Sequence, residues 1–289
     1  MLIIAGTVLA IAYCGACLYL FLEQKKFIFF PARAVEMTPD AFGLRYQDVW
    51  LPVSAKTGQV ERIHGWWIPA DRSFSGSAPA ELAPVVLYLH GNGSNVGANV
   101  EHANRFHRLG LSVLLIDYRG YGRSTGDFPT EAQVYEDAEV AWNSLVQERG
   151  IQPGRIFLYG HSLGGAIAIE LAVRHPEAGG LIVEGSFISA RAMVDYRGQY
   201  WMFPVDLLLN QRFDSIAKVP HLKLPVLFIH GTSDRVVPVE MSHQLFEASP
   251  EPKQLYIVPG ADHTDLAQVA GADYLQKLHN FFHKYESKL

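Results

Sequence analysis

Cysteine is nearly absent from this 289-residue sequence: there are two, Cys14 and Cys17, and both lie in the first apolar run. The rest of the chain can form no disulfide, which excludes a stapled secreted scaffold but suits a large domain on either side of a membrane. A lipidated thiol or a lipoprotein cleavage site within the run is a minor alternative. Also missing are a basic cluster, a low-complexity tract and an internal repeat. With a net charge of -5 there is no electrostatic footprint for nucleic acid, and that class of partner is set aside. At 49% hydrophobic and 18% charged residues, the chain is too apolar for disorder and long enough for one main domain with a large core.

Charge is missing altogether from Leu2 to Leu22. At roughly 1.5 Å per residue this run reaches about 31 Å, enough to cross a hydrocarbon core, so it reads as a transmembrane helix. A cleaved secretory signal is the alternative, with Ala10 and Ala12 as a small-x-small pair. No Lys or Arg precedes the run, however, and it continues well past that pair. Lys25, Lys26 and Arg33 follow it, which places the domain on the cytoplasmic side of a single-pass membrane protein.

Residues 24–48 read as a membrane-proximal connector and 49–289 as the main domain. Two β-rich segments, "YQDVWLPV" and "VERIHGWWIPA", are joined by the turn-like "SAKTGQ", and "DRSFSGSAPAELAP" reads as a surface loop. Short apolar runs then alternate with helical periodicities: "VVLYLH", "SVLLIDY", "RIFLYG", "GLIVEG", "PVLFIH" and "QLYIVPG". Helices are expected near Val96 to Leu109, Glu131 to Glu148, Leu163 to His175, Val239 to Ala248 and Ala270 to Lys284. That alternation predicts an α/β fold, a mostly parallel central sheet with helices on both faces. The stretch before "PVLFIH" is longer than a crossover helix needs and rich in aromatics, so residues 186–224 are expected to form a small helical lid.

Gly160-His161-Ser162-Leu163-Gly164 fits G-x-S-x-G between an apolar strand and a helix. A sharp turn there presents the Ser162 hydroxyl above the sheet, and the following helix aims free N–H groups at a developing oxyanion. A serine needs a base, and His263 in "YIVPGADHTDL" follows the last expected strand. The base needs an acceptor, for which Asp234 in "LFIHGTSDRVVP" is the candidate and Glu184 the rival. Asp262 and Asp265 flank the histidine too closely to orient it and read as loop caps. In "LHGNGSN" the Asn92 N–H, with that of Leu163, supplies candidate oxyanion donors. Asp117 in "DYRGYGRSTGD" precedes the nucleophile and reads as structural. His279 and His283 are four apart on the last helix but lack a third metal ligand.

Together "LYLHGNGSN", "DYRGYGRSTG", "GHSLGG", "GTSDRVVP" and "GADHTDL" resemble the α/β-hydrolase superfamily, and more narrowly its membrane-anchored α/β-hydrolase-domain (ABHD) group, whose domain is often labelled serine aminopeptidase-like. The resemblance implies an α/β-hydrolase fold, Ser162 as nucleophile, Asp234 and His263 as its partners, Asn92 and Leu163 as oxyanion donors, and no metal or organic cofactor. It leaves the substrate open. The expected activity is hydrolysis of a small-molecule ester or thioester through an acyl-enzyme. The aromatic lid "YWMFPVDLLL" and the anchor's contact with membrane lipid favour an apolar acyl group. A peptidase of the same fold and a non-catalytic membrane-tethered binding module are the competing expectations.

Overall fold

The computed structural model describes residues 2–54, 58, 60–71 and 83–286. The expected turn "SAKTGQ" and the expected loop "DRSFSGSAPAELAP" lie mostly outside the described residues. Eight strands form one sheet: β1 (Gln47–Ser54), β2 (Val60–Ile68), β3 (Val85–Leu89), β4 (Ser112–Ile116), β5 (Ile156–His161), β6 (Gly180–Glu184), β7 (Val226–Gly231) and β8 (Lys253–Val258). Their order is β1-β2-β4-β3-β5-β6-β7-β8. β1 and β2 pair antiparallel, as do β2 and β4, and every later pairing is parallel.

The central strands are apolar at nearly every position because both faces are covered. Leu87, Leu89, Ile116 and Leu158 enter a core shared with α4 (Glu131–Asn143), α5 (Leu163–Arg174) and α9 (Val239–Ala248). Tyr88, Leu115 and Tyr159 point the other way, toward Phe106 of α3 (Val100–Arg108) and Phe281 of α11 (Ala272–Glu286). This is the period-two alternation of a strand, with both faces buried. A capping box between Thr130 and Gln133 starts α4. The expected helix over Glu131 to Glu148 ends in a π-turn, Ser144–Glu148. The last expected helix begins earlier, as α10 (Leu266–Ala270), and is broken by Gly271 at φ 56°.

The parallel run matters for function, since the loops after β3, β5, β7 and β8 all leave the same edge of the sheet. Between β6 and β7 the lid carries α6 (Ala190–Arg197), α7 (Val205–Leu208) and α8 (Ser215–Lys218). Its base is fixed by one carboxylate at the start of α4. Glu131 accepts from the Arg212 N–H at 2.6 Å and the Phe213 N–H at 2.8 Å. Phe213 is buried and sits at φ 42°, a conformation that costs a non-glycine residue energy and so needs such holding.

At the N-terminus α1 (Leu2–Glu23) is long and apolar enough to cross a membrane by length and composition, and it is not buried in the domain. A short turn, α2 (Lys25–Ile28), follows, and Phe29 then inserts fully into the core beside Phe213.

Replacing Glu131 by alanine strands two lid N–H donors. We expect a loss of about 1–3 kcal/mol in urea unfolding and faster limited proteolysis between α7 and α8. Unchanged midpoints and cleavage rates would show that the lid base is held by packing alone.

Candidate active site

Ser162 is the first residue after β5 and caps α5, with φ 53° and ψ -117°. Its N–H is bonded to the Glu184 carbonyl of the neighbouring strand at 2.8 Å, and its own carbonyl accepts from Ser186 Oγ at 2.8 Å. The turn is this tight because the residues two positions away on either side, Gly160 and Gly164, have no side chains. A Cβ on Gly164 would collide with the Leu89 carbonyl, and one on Gly160 with the Gly164 carbonyl. The strained backbone leaves the hydroxyl standing clear of the sheet edge.

His263 and Asp234 come from the loops after β8 and β7. His263 Nδ1 lies 2.7 Å from Asp234 Oδ2. Asp234 Oδ1 accepts from the Val236 and Val237 N–H groups, each at 2.8 Å, and Oδ2 also lies 3.0 Å from His230 Nε2. Burial alone would push this carboxyl up. The bonds from His230, His263 and the Val237 N–H outweigh it and hold Asp234 well below the usual carboxylate range. With Asp234 ionised, Nδ1 of His263 carries the proton and Nε2 is left as an acceptor.

The ring of His263 rests against Gly185, the residue after the Glu184 that holds Ser162. It also packs 4.8 Å, centroid to centroid, from the ring of His161, whose Nε2 donates to the His263 carbonyl at 3.0 Å. Among the described residues no hydrogen bond joins Ser162 Oγ to His263. In free enzymes such bonds are often long and close only around substrate.

On the other side of Ser162 lies Asn92. Its N–H has no partner among the described residues, and the Leu163 N–H, at the first position of α5, stands outside the helical ladder. The Asn92 side chain is fully engaged. Oδ1 accepts from the Tyr121 hydroxyl at 2.7 Å, the Phe30 N–H at 2.9 Å and the Gly93 N–H at 3.0 Å, while Nδ2 donates to the Ile28 carbonyl. Segment 28–34 is further fixed by Asn95 Nδ2 on the Ala34 carbonyl and by Arg33 on the Ser124 and Gly126 carbonyls.

Ser162, Leu163 and Asn92 line one cavity of about 350 Å³, within the range of small-molecule sites. Its walls are apolar, from Phe30 on one side to Met193, Phe187 and Phe213 of the lid region on the other. Arg197 and Gln199 lie at its rim, and no carboxylate lines it among the described residues.

The rival groups are occupied elsewhere. Glu184 accepts from the Tyr274 hydroxyl of α11 at 2.6 Å, and burial pushes its carboxyl up despite that bond. Asp262 is bound by Arg235 and by the His263 N–H, and Asp265 accepts from the Asp262 N–H. Asp117 is buried, accepting from the Val96 N–H at 2.9 Å and facing His90 at 3.3 Å. His279 and His283 stack on α11, and no group of three metal-ligating side chains occurs among the described residues.

Sequence reasoning missed His230, His161 and segment 28–30. The spacing of His230 four residues before Asp234 was a usable signal. The role of Ile28 and Phe30, over 60 residues from Asn92, was not.

A mostly parallel sheet with a nucleophile-type turn after β5 and an acid–histidine pair after β7 and β8 defines an α/β hydrolase. Comparison with known proteins narrows this. The family model for serine aminopeptidase, S33, matches residues 80–217 and 208–267, and the chain belongs to that family. It is 34% identical over 274 residues to the uncharacterized protein Rv2307c of Mycobacterium tuberculosis, covering 95% of this chain and 92% of that one. It is 26% identical over 305 residues to the α/β hydrolase domain-containing protein WAV2 of Arabidopsis thaliana, covering 98% and 92%. The esterase Pf2001 of Pyrococcus furiosus superposes with a TM-score of 0.69 at 20% identity, over 88% of this chain and 98% of that one.

Burial, then the neighbouring His263, lowers the His161 imidazole from its ordinary 6.5 to about 4. Between these values the unfolded chain binds a proton that the folded one does not, so stability falls as pH drops from about 6.5 toward 4. His161→Gln places an amide N–H near the position of Nε2, keeping a donor for the His263 carbonyl, but cannot titrate. Its unfolding free energy is expected to drop less between pH 7 and pH 5 than that of the wild type, by on the order of 1 kcal/mol. Equal drops would remove His161 as the cause.

Proposed function

We propose that the chain is a membrane-anchored serine hydrolase that cleaves a carboxylic ester or thioester of an apolar acyl group through an acyl-enzyme. Ser162 is the nucleophile and His263 the base that takes its proton and returns it to the leaving group. Asp234 holds the tautomer of His263 and stabilises the imidazolium. The Asn92 and Leu163 N–H groups receive the oxyanion. Water activated by His263 then releases the acyl group. The observation that carries this reading is the Asp234–His263 pair set beside a strained Ser162 that opens into an apolar cavity.

The electrostatics of that cavity favour an acyl group over a peptide N-terminus. Recognition of an α-ammonium calls for a carboxylate, whereas the charged side chain at the rim is Arg197. An uncleaved anchor is favoured by Gln24 at its end. The Gln24 side chain donates to the Leu208 carbonyl at 3.1 Å and accepts from the Asn210 N–H at 2.9 Å, so the helix terminus is part of the lid's support. Lys25 and Lys26 beside it support a cytoplasmic orientation of the domain, which protease protection in oriented vesicles tests.

Wild type is expected to form a covalent adduct with a fluorophosphonate and to hydrolyse acyl esters. Ser162→Ala should lose at least about 10³-fold and Asp234→Asn on the order of 10⁴-fold in kcat. Across a series of acyl lengths, kcat/KM should rise by up to about fourfold per methylene, the equivalent of ~0.8 kcal/mol, until the cavity is filled. Full activity in Ser162→Ala sinks the nucleophile assignment, and a flat length profile sinks the apolar acyl group.

A further inference from the structure

The cavity at Ser162 adjoins a second, smaller one. That chamber, of about 100 Å³, lies between the end of α1 and the lid and is lined by Leu20, Gln24, Phe203, Val205 and Leu208. Phe27, Ile28, Val194, Tyr200 and Leu209 line both. Two adjoining apolar cavities, divided only by these shared side chains, therefore lie between the side of the apolar N-terminal helix and the nucleophile.

The lid also lies along that helix. The Tyr13 hydroxyl donates to the Met202 carbonyl at 2.8 Å, and the Tyr13 and Phe203 rings stack at 5.8 Å. Tyr13 precedes Glu23 by ten residues, about 15 Å along the axis. The tip of the lid thus reaches beyond the charged end of α1, onto the flank that a spanning helix shows to lipid. Trp201 and Leu207, each 81% exposed, and Met202 belong to this segment, and Phe27 and Phe30, just after α1, are exposed as well. Exposed tryptophan with aliphatic neighbours, beside a helix of spanning length, is a composition suited to contact with lipid.

We propose that segment 200–208 of the lid is a second membrane contact, seated in the lipid against the flank of α1. The substrate is then a bilayer-resident lipid whose acyl chain enters sideways, between α1 and the lid, and reaches Ser162 without crossing water. This rests on the hydrolase reading above and names its substrate class and route. A chain that stays in an apolar passage avoids the cost of exposing its methylenes, which a pocket opening only to water would impose. α1 has two functions here: it holds the domain at the membrane and forms one wall of the entrance.

Two measurements on the full-length protein in phosphatidylcholine vesicles test this. In the first, the lipid carries bromines along its acyl chains, in one set near the glycerol and in another at mid-chain. The fluorescence difference between wild type and Trp201→Phe is expected to fall at least twofold in at least one set relative to unbrominated vesicles. A difference unquenched in both overturns the lid's membrane contact whatever the enzyme's chemistry. In the second, Leu208→Phe fills the outer chamber, with Val205→Phe as the alternative should the first variant unfold. Turnover per fluorophosphonate-labelled site is measured for a long-chain ester in the bilayer and a short soluble ester. The long-to-short ratio is expected to fall at least tenfold, and an unchanged ratio in a labelled protein overturns lateral entry alone. A wild type that is neither labelled nor active overturns the hydrolase reading and the passage's role together.

Discussion

The site depends on one close approach: α5 meets strands β3 and β5 at a point where no side chain intervenes. Gly164 lies against the Leu89 carbonyl and Gly160 against Gly164, and that contact drives Ser162 into its left-handed backbone conformation. With the backbone set, the remaining groups need only be brought to the same edge of the sheet. Parallel strands do this, because each one ends where its neighbour ends. Asn92, Asp234 and His263 occupy the loops that follow β3, β7 and β8. A larger residue at Gly164 would separate helix from strand and turn the serine away from all three.

Around this turn, carboxylates and histidines are sorted by the partners they can reach. Asp234 remains ionised although buried, because four donors converge on it. Glu184 has the Tyr274 hydroxyl but no hydrogen-bonded cation, and burial raises its pKa. The two acids sit at the ends of adjacent strands, and only Asp234 can hold a protonated Nδ1 on His263. His230 contributes by sharing Asp234 Oδ2, with its own Nδ1 within reach of Ser242 Oγ at 2.6 Å. The acid is thereby fixed on both sides, leaving the His263 ring a single bonded orientation.

How much of this was legible in the sequence follows from the range of each contact. The strand-end loops could be read because each is local, an apolar run followed within a few residues by its polar group. The parallel sheet and its helices were readable for the same reason, and the lid showed itself as surplus length between two strands. Two helix boundaries shifted where the chain makes a π-turn at Ser144 and breaks at Gly271, details that periodicity averages over. The side-chain amide of Asn92 was not legible. The expected role of Asn92 uses its backbone N–H, while its side chain binds Ile28 and Phe30, and no local pattern marks such a pairing. The connector at 24–48 looked like a spacer, yet Phe29 is in the core and Arg33, expected to act as a flanking charge, is bonded to the loop after β4.

That connector changes what the N-terminal helix means for the site. A flexible tether would let the domain tumble at the membrane and would leave the oxyanion loop independent of it. Here a few residues separate Glu23 from the two backbone groups that grip Asn92, and Gln24 grips the lid from the same point. Both walls of the cavity are therefore referenced to the end of α1. Side-chain amides suit this junction, since each can donate and accept at once and so joins two segments without a buried charge. An ion pair at the same place would bring a desolvation cost and a local field into an otherwise apolar cavity. The polar but uncharged Gln24 and Asn92 hold the geometry without adding a charge to the cavity beside Asp234 and His263.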